Sequence, residues 1–278
     1  MKKTALLYLL SFFFISSNLW AQEEDYEDWT KEESKKKSLF FAGINIGGLF
    51  ANNNTAVIYS GSPAATPYGI NYILSIPTYK TTFDAYFQHP YTVSEFPQSP
   101  GYSTALDIGV HAGINIGNEA AIYIDINTAQ LKYEQTFTIA IDNPLNKSPE
   151  PTYEQIPIFG KEKRFNLNLG TQLNLYNGEN SLAYFALFGN FNSVKLERNY
   201  IVINNQEYII SHNSAQQSGG NPGGIGYGGG TGLGFKYNLT ENLILDLNYN
   251  LYYTKINMND NLNPFGMHHG LMLRVIWN

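Results

Sequence analysis

The chain has 278 residues, of which 15% are aromatic and only 14% are charged, and its formal net charge is −6. A typical soluble domain has about 25% charged residues, and an acidic chain is poorly suited to a phosphate backbone, so no nucleic-acid partner is predicted. The absence of cysteine excludes thiol chemistry, a lipid-modified cysteine anchor and stabilisation by disulfides.

The N-terminus has the features of a secretory signal peptide. Lys2 and Lys3 precede an apolar run from Ala5 to Ile15, and a small residue, Ala21, ends the segment. We therefore predict a signal peptide over residues 1–21. The following residues, 22–37, carry dense mixed charge, which is typical of a solvated tail and here predicts a periplasmic one.

From residue 38 to the end, no stretch approaches the about 20 consecutive apolar residues of a membrane-spanning helix. Apolar residues instead alternate with polar or small ones, the period of a strand that presents different residues to its two faces. The alternation covers eight segments: Phe40–Phe50, Leu106–Ile116, Ile122–Ile126, Phe165–Leu175, Ser181–Val194, Gly224–Asn238, Leu243–Tyr253 and Leu271–Trp277. The facing of Ser181–Val194 stays open, because its aromatic residues fall on both faces.

The segment Gly224–Asn238 shows the alternation most clearly. Every even position from Gly224 to Gly234 is glycine, while most odd positions are apolar or aromatic. A soluble sandwich would enclose the bulky face, whereas a transmembrane barrel turns it toward lipid and keeps small or polar residues in a narrow lumen.

Connections between the segments alternate between short and long. The short ones lie at 117–119, 177–180 and 240–242, and the long ones cover 53–103, 138–163, 199–223 and 257–266. Short periplasmic turns and long extracellular loops are the pattern of outer-membrane barrels. Residues 38–278 are therefore predicted to form an all-β, antiparallel up-and-down transmembrane barrel. It would have eight strands, or ten if the first loop contributes a spanning hairpin.

The layout resembles the eight-stranded OmpA/OmpX-like outer-membrane barrels of Gram-negative bacteria. The last strand, His268–Trp277, is similar to their C-terminal assembly signal, although Asn278 follows the final aromatic residue. The resemblance implies a location in the outer membrane, contact with outer-membrane lipid and lipopolysaccharide, and a lumen filled by side chains. In size and layout the chain also resembles small barrels of type nine secretion systems, without a diagnostic motif.

Strand pairing around the short turns predicts a polar network in the lumen. A tight turn at 240–242 places Lys236 opposite Asp246, and a turn at 117–119 places His111 opposite Asp125. Arg274 lies at a similar height on the last strand, and Asp107 shares the inward face of His111. Such residues could form a proton path or an active site, but buried charges must be paired, which favours a salt-bridge network that plugs the lumen. The predicted network comprises His111, Asp125, Lys236, Asp246, Arg274 and Asp107.

No catalytic, cofactor-binding or metal site is predicted. The five histidines are His89, His111, His212, His268 and His269, and their spacing assembles no serine–histidine–acid set. His268 and His269 point to opposite faces of one strand and make a poor chelate. The segment Gly224–Gly229 formally matches a dinucleotide-binding fingerprint but lacks the helix and the acidic residue that this motif needs.

The long loops are rich in apolar and aromatic residues, which predicts an ordered extracellular crown, either packed on itself or used as a contact surface. Residues 68–76 and 81–87 could form a hairpin, and a second hairpin is predicted around 204–207. The predicted contact surface comprises Tyr68, Tyr72, Phe83, Tyr86, Phe87, Tyr200 and Tyr208. The leading hypothesis is a non-enzymatic barrel that binds a protein partner, as an accessory subunit of a secretion or assembly complex. The alternatives are a lipid-modifying enzyme and a small pore.

Overall fold

The computed structural model describes residues 39–145, 150–212, 222–259 and 261–278. The predicted signal peptide (1–21) and charged tail (22–37) lie outside these residues. The described part contains ten strands, two α-helices (α1 Ile70–Ser75 and α2 Pro77–Phe87) and a short 3-10 helix, Ala56–Ser60. The strands are β1 Phe40–Phe50, β2 Tyr91–Glu95, β3 Ala105–Ile116, β4 Ala120–Ile141, β5 Thr152–Asn177, β6 Ser181–Ile203, β7 Gln206–Ile209, β8 Gly223–Asn238, β9 Leu243–Lys255 and β10 Phe265–Trp277. Within the described ranges, neither helix is long and apolar enough to cross a bilayer.

Eight strands close into an antiparallel ring in the order β1, β3, β4, β5, β6, β8, β9 and β10. The seam between the first and last strands joins Ala42–Phe50 of β1 to His269–Trp277 of β10. Closure leaves no strand edge unpaired within the ring, as a backbone surrounded by lipid requires. All eight segments predicted from the alternation lie in these strands, which confirms the eight-stranded antiparallel barrel.

The two remaining strands do not span. β2 has five residues and pairs with the end of β4, and β7 has four residues and pairs with the end of β6. A transmembrane strand needs about 9–11 residues. The alternative of ten spanning strands is therefore wrong, because the first loop contributes a 3-10 helix, two α-helices and one short strand instead of a spanning hairpin.

Three neighbouring strands are much longer than a membrane crossing requires. β4, β5 and β6 have 22, 26 and 23 residues, against the about 9–11 needed to cross. Much of the predicted loop 138–163 therefore belongs to the hairpin of β4 and β5, and β6 runs on to Ile203. The extensions contain charged residues because they are surrounded by water, and this composition is why the sequence predicts a loop there.

The first loop folds into helices where the sequence suggested a hairpin. α2 begins with Pro77, whose missing N–H costs nothing in the first helical turn. Its apolar residues Tyr79, Phe83 and Phe87 recur at every fourth position, which is a helical spacing that the sequence reading overlooked. The other predicted hairpin is present: β6 and β7 are joined by Asn204 and Asn205, both with positive φ (50° and 59°), as a type I′ turn requires.

We call the part of the molecule beyond the membrane the crown. It consists of the 3-10 helix, α1, α2, β2, β7 and the extended ends of β4, β5 and β6. Its interior is an apolar core of 21 buried residues, among them Tyr59, Ile73, Phe83, Ile139 and Ile158. They come from the helices, from the inward faces of the extensions, from β7 and from the segments that follow β7 and β9.

The barrel itself has the opposite polarity. Large apolar side chains such as Ile44 and Leu169 are more than half exposed on its outer face, whereas Asn168 and Asn248 are buried inside. In β6, Tyr184 and Phe188 are buried in the lumen while Leu187 and Phe191 are exposed, which resolves the facing of this strand. An apolar exterior around a polar interior is the polarity of a transmembrane barrel.

Candidate functional site

A buried ion network crosses the lumen of the barrel. Arg274 of β10 donates from Nη2 to Asp125 Oδ2 (2.9 Å) and from Nη1 to Asp246 Oδ2 (3.2 Å). His111 Nδ1 lies 2.6 Å from the other oxygen of Asp125. All four side chains are at most 1% exposed. The cross-strand pair His111–Asp125 has the register expected from the short turn at 117–119, and Arg274 lies directly opposite Asp246 across β9 and β10.

Tyr184 completes this network, which we call the lumen network. Its hydroxyl donates to Asp246 (2.8 Å) and accepts hydrogen bonds from Arg274 and Asn248 (3.1 Å each). A methyl group on Gly234 of the neighbouring β8 would overlap the Tyr184 ring. Gly230 likewise lies against the Phe188 ring, whereas a methyl group on Gly232 would meet Asn250, so the bare face of β8 makes room for side chains of both neighbouring strands. The sequence did not predict Tyr184 as a member of the lumen network, because the aromatic residues of β6 fall on both faces of the strand and leave its facing open.

The two other predicted members lie at the edges of the lumen network. Lys236 lies opposite Asp246 in the strand register and donates to Gln172 Oε1 (2.7 Å). Its ammonium is also 5.0 Å from the ring centre of Tyr184, a cation–π distance. Asp107 is buried on the inward face of β3, with 1% of its surface exposed. The structure therefore places all six predicted residues on the inner face.

A second buried charge cluster, which the sequence reading missed, lies where the barrel meets the crown. Arg164 Nε donates to Glu162 Oε1 (2.5 Å), and the two residues are neighbours on the inward face of β5. We call them the boundary pair. Tyr102 and Tyr59 donate to the other Glu162 oxygen (2.7 and 3.1 Å). The signal was available, because Glu162 and Arg164 continue the even-numbered inward face of Asn166 and Asn168.

The crown tyrosines around the boundary pair are held neutral. Burial, reinforced by the negative charge of Glu162, raises the pKa of Tyr59 and of Tyr102 well above the usual value. Thr55 Oγ1 lies 3.0 Å from the Tyr102 hydroxyl and accepts from Arg164 Nη2 (3.2 Å). These bonds tie the start of the first loop to β5.

Besides His111, three histidines make structural contacts. His268 is buried, and its Nδ1 accepts from the backbone N–H of Asn52 (3.2 Å). His269 lies on the outer face and stacks on Phe50 with ring centres 4.7 Å apart. His212 contacts Asn199 Nδ2 through Nε2 (3.0 Å), and burial lowers the pKa of His212 to about 4. Among the described residues, no group of three or more histidine, aspartate or glutamate side chains could hold a metal ion.

The predicted contact surface divides into buried and exposed residues. Phe83, Phe87 and Tyr208 are buried in the crown core and are not available to a partner, because the loops pack on the extended sheet. Tyr72 and Tyr86 are exposed, and Tyr86 donates to Glu154 (2.7 Å). The remaining two, Tyr68 and Tyr200, are half-buried.

The crown carries a groove of about 610 Å³ between its helices and β2. It is lined by Asn71, Leu74 and Ser75 of α1, by Lys80 and Asp84 of α2, by Gln88, His89 and Pro90, and by Tyr91, Thr92 and Val93 of β2. Along one edge β2 pairs with β4, and no other described strand pairs with its second edge. The groove therefore runs beside backbone groups that are free to bond a further strand.

No protein-family model and no curated protein matches the chain. Among solved structures, Neisserial surface protein A (NspA) has 11% sequence identity and a TM-score of 0.40, over 86% of this chain and 96% of NspA. Ail, the attachment invasion locus protein of Yersinia pestis, has 11% identity and a TM-score of 0.36, over 86% of this chain and 99% of Ail. The barrel architecture rests on this chain's own strand pairings.

Those strand pairings, together with the apolar outer face, indicate where in the cell the protein resides. The short turns lie at one end of the ring, and the long connections and the crown lie at the other. A closed antiparallel barrel with this layout is the architecture of the bacterial outer membrane. This protein is an outer-membrane β-barrel.

Proposed function

We propose that this protein is a non-enzymatic outer-membrane barrel with a side-chain-plugged lumen, whose crown binds an extended segment of a protein partner. The observation that carries the proposal is the groove beside the free edge of β2. A partner of this kind makes the barrel an accessory subunit of a secretion or assembly complex in the outer membrane.

The geometry of β2 suits strand addition. Pro90 O accepts from the N–H of Asp142 (2.8 Å), and Val93 lies opposite Ile139. In the alternating pattern of an antiparallel pair, the N–H and C=O of Val93 then point away from β4 and toward the free edge. A peptide that adds to this edge gains main-chain hydrogen bonds, and the groove receives its alternate side chains.

The side chains lining the groove suit a mixed polar and apolar segment. Lys80 and Asp84 are joined by an exposed salt bridge (2.8 Å) and offer one charge of each sign, while Leu74 and Val93 offer apolar surface. Interfaces of this composition combine a buried apolar centre with a polar rim.

The test is photo-crosslinking in cells from a crosslinker at Thr92, which is exposed on β2. The expected result is a discrete crosslinked protein that is lost in Val93→Pro, which removes the outward N–H, and is retained in Val93→Thr, which keeps it. Absence of a crosslinked protein, or equal crosslinking in both variants, would contradict the proposal. Protease resistance of the crown in both variants verifies that Val93→Pro still folds.

The plugged lumen leads to a separate prediction about ion conductance. The lumen network and the boundary pair place buried side chains at two levels of the barrel, and the cavity beside Arg164, lined also by Tyr252 and His268, has a volume of only about 10 Å³. Purified protein in planar bilayers should therefore show no stable single-channel conductance. A reproducible open-channel current would overturn the plugged lumen and favour a pore.

The non-enzymatic assignment is supported by the histidine contacts. Among the described residues, the hydrogen-bond partners of His111, His212 and His268 are asparagine, aspartate and arginine groups, and none of these partners is a serine. Deletion of the gene should leave the mass profile of lipid A unchanged. A shift by an acyl or phosphate group would favour the lipid-modifying enzyme instead.

A further inference from the structure

Four lysines form a patch on the outer face of the three long strands, where they leave the membrane. Lys132 lies on β4, Lys161 and Lys163 lie on β5, and Lys195 lies on β6. Three of them are exposed and Lys161 is half-exposed. We call these four residues the lysine patch.

The strand register places lysines directly opposite one another. Lys132 pairs with Lys161 across β4 and β5, and Lys163 pairs with Lys195 across β5 and β6. Like charges directly opposite each other destabilise a sheet. The patch therefore has an unfavourable self-interaction that a bound anion would relieve.

Two exposed carboxylates, Glu134 and Glu197, lie on the same outer face beside the four lysines and leave the patch with an excess of positive charge. Glu197, the acidic residue that follows Lys195 on the same face, accepts from Gln130 Nε2 (2.6 Å), and Glu207 pairs with Arg198. Within the described ranges, none of the four lysines is in an ion pair. Their positive charge is available to a ligand.

The position of the lysine patch along the strands, relative to the lipid-contacting residues, indicates what kind of ligand it binds. Phe165, two residues below Lys163, and Phe191, four residues below Lys195, are exposed on the apolar outer face. At about 3.3 Å per residue, the lysines stand roughly 7–13 Å along the strands from side chains that contact lipid tails. This is the level of the lipid headgroups, where flexible ammonium groups bind phosphate as point charges.

We propose that the lysine patch binds the phosphorylated headgroup of a lipopolysaccharide molecule in the outer leaflet. The lipid's acyl chains lie along the apolar face around Phe165 and Phe191, and its phosphates are shared between the opposed lysine pairs. The site is on the outer wall of the barrel and is independent of the groove beside β2.

The test compares a four-fold variant with a charge-matched control. The variant carries Lys132→Gln, Lys161→Gln, Lys163→Gln and Lys195→Gln. The control carries Lys35→Gln, Lys36→Gln, Lys37→Gln and Lys255→Gln, which remove the same charge without changing any of the four patch lysines. Retained lipid is measured by native mass spectrometry after incubation in mild detergent with lipopolysaccharide or with its dephosphorylated form.

The wild type and the control should retain phosphorylated lipopolysaccharide about tenfold better than the four-fold variant, and dephosphorylated lipopolysaccharide should be retained weakly by all three proteins. Equal retention of the two lipid forms by the wild type, or of the phosphorylated form by variant and control, would overturn the proposal. Displacement of the lipid by millimolar inorganic phosphate would indicate a free-phosphate site and would also overturn it. If the four-fold variant does not fold, as judged by heat-modifiable migration, the pair Lys132→Gln and Lys163→Gln replaces it under the same criteria.

Discussion

The barrel and the crown are built from the same strands but have opposite polarity. On the outer face of β5, Leu169 and Phe165 give way to Lys163 and Lys161 as the strand leaves the membrane. On the inner face, the polar Asn168 of the lumen gives way to apolar residues of the crown core. In β5 the alternation keeps its phase through the boundary, and only the kind of residue on each face changes.

This difference teaches that the surroundings, and not the strand, decide which face is apolar. In lipid the outside is apolar and the lumen must satisfy its own polar groups, whereas in water the apolar residues turn inward. The boundary pair, Glu162 and Arg164, lies between the polar lumen of the barrel and the apolar core of the crown. We therefore expect the lumen to depend on charge pairing and the crown to depend on apolar packing.

Substitution of Arg274 by methionine should have the largest effect. It leaves Asp125 and Asp246 buried without their shared cation, at a cost of about 3–5 kcal/mol in the free energy of unfolding. Urea unfolding in detergent micelles, followed by heat-modifiable migration, measures this loss. An unchanged unfolding midpoint would show that the lumen does not depend on this pairing.

Substitution of Phe83 by alanine should loosen the crown and spare the barrel. Phe83 is fully buried in the crown core, so the cavity costs about 3 kcal/mol. Limited proteolysis should cut the first loop faster while the heat-modifiable migration of the barrel stays unchanged. The exposed Tyr72→Ala serves as the control, and simultaneous loss of both properties in Phe83→Ala would contradict the independence of the two regions.

Substitution of Gly234 by alanine tests how tightly the lumen is packed. The added methyl group would overlap the Tyr184 ring, and overpacking of this kind costs about 2 kcal/mol. Gly189→Ala is the matched control, because the nearest atom to its methyl group would be 4.0 Å away. Equal unfolding midpoints for the two variants would mean that the β8 glycines are not required by the β6 aromatics.

Acidification should affect the crown through His212, with the smallest effect of the four. Burial lowers its pKa to about 4 in the folded crown, below the ordinary value of about 6.5 that applies when the segment opens. Between these values only the open form binds a proton, so the closed form loses stability as the pH falls from 6.5 toward 4. Hydrogen exchange near Asn199 should be faster at pH 5 than at pH 7 after correction for intrinsic rates, and His212→Gln should abolish this difference.

The sequence predicts the barrel well because lipid imposes a strict alternation on each spanning strand. The registers of His111 with Asp125 and of Lys236 with Asp246 follow from two tight turns. The crown was harder to predict, because its strands and helices carry the mixed composition of ordinary soluble structure. Glu162 therefore falls in a predicted loop, and the aromatic residues of α2 fall in a predicted hairpin and contact surface although their spacing is helical.

The ion pair between Arg274 and Asp125 has a consequence for the assembly of the barrel. β10 and β4 are separated in the ring by β1 and β3, and the two side chains meet only across the enclosed space. Asn45 of β1, the strand on the other side of the seam, also donates to Asp125 (3.3 Å). The first and last strands thus both bond to Asp125 of β4. These two contacts can form only when the sheet has closed, so their formation marks the completion of the barrel.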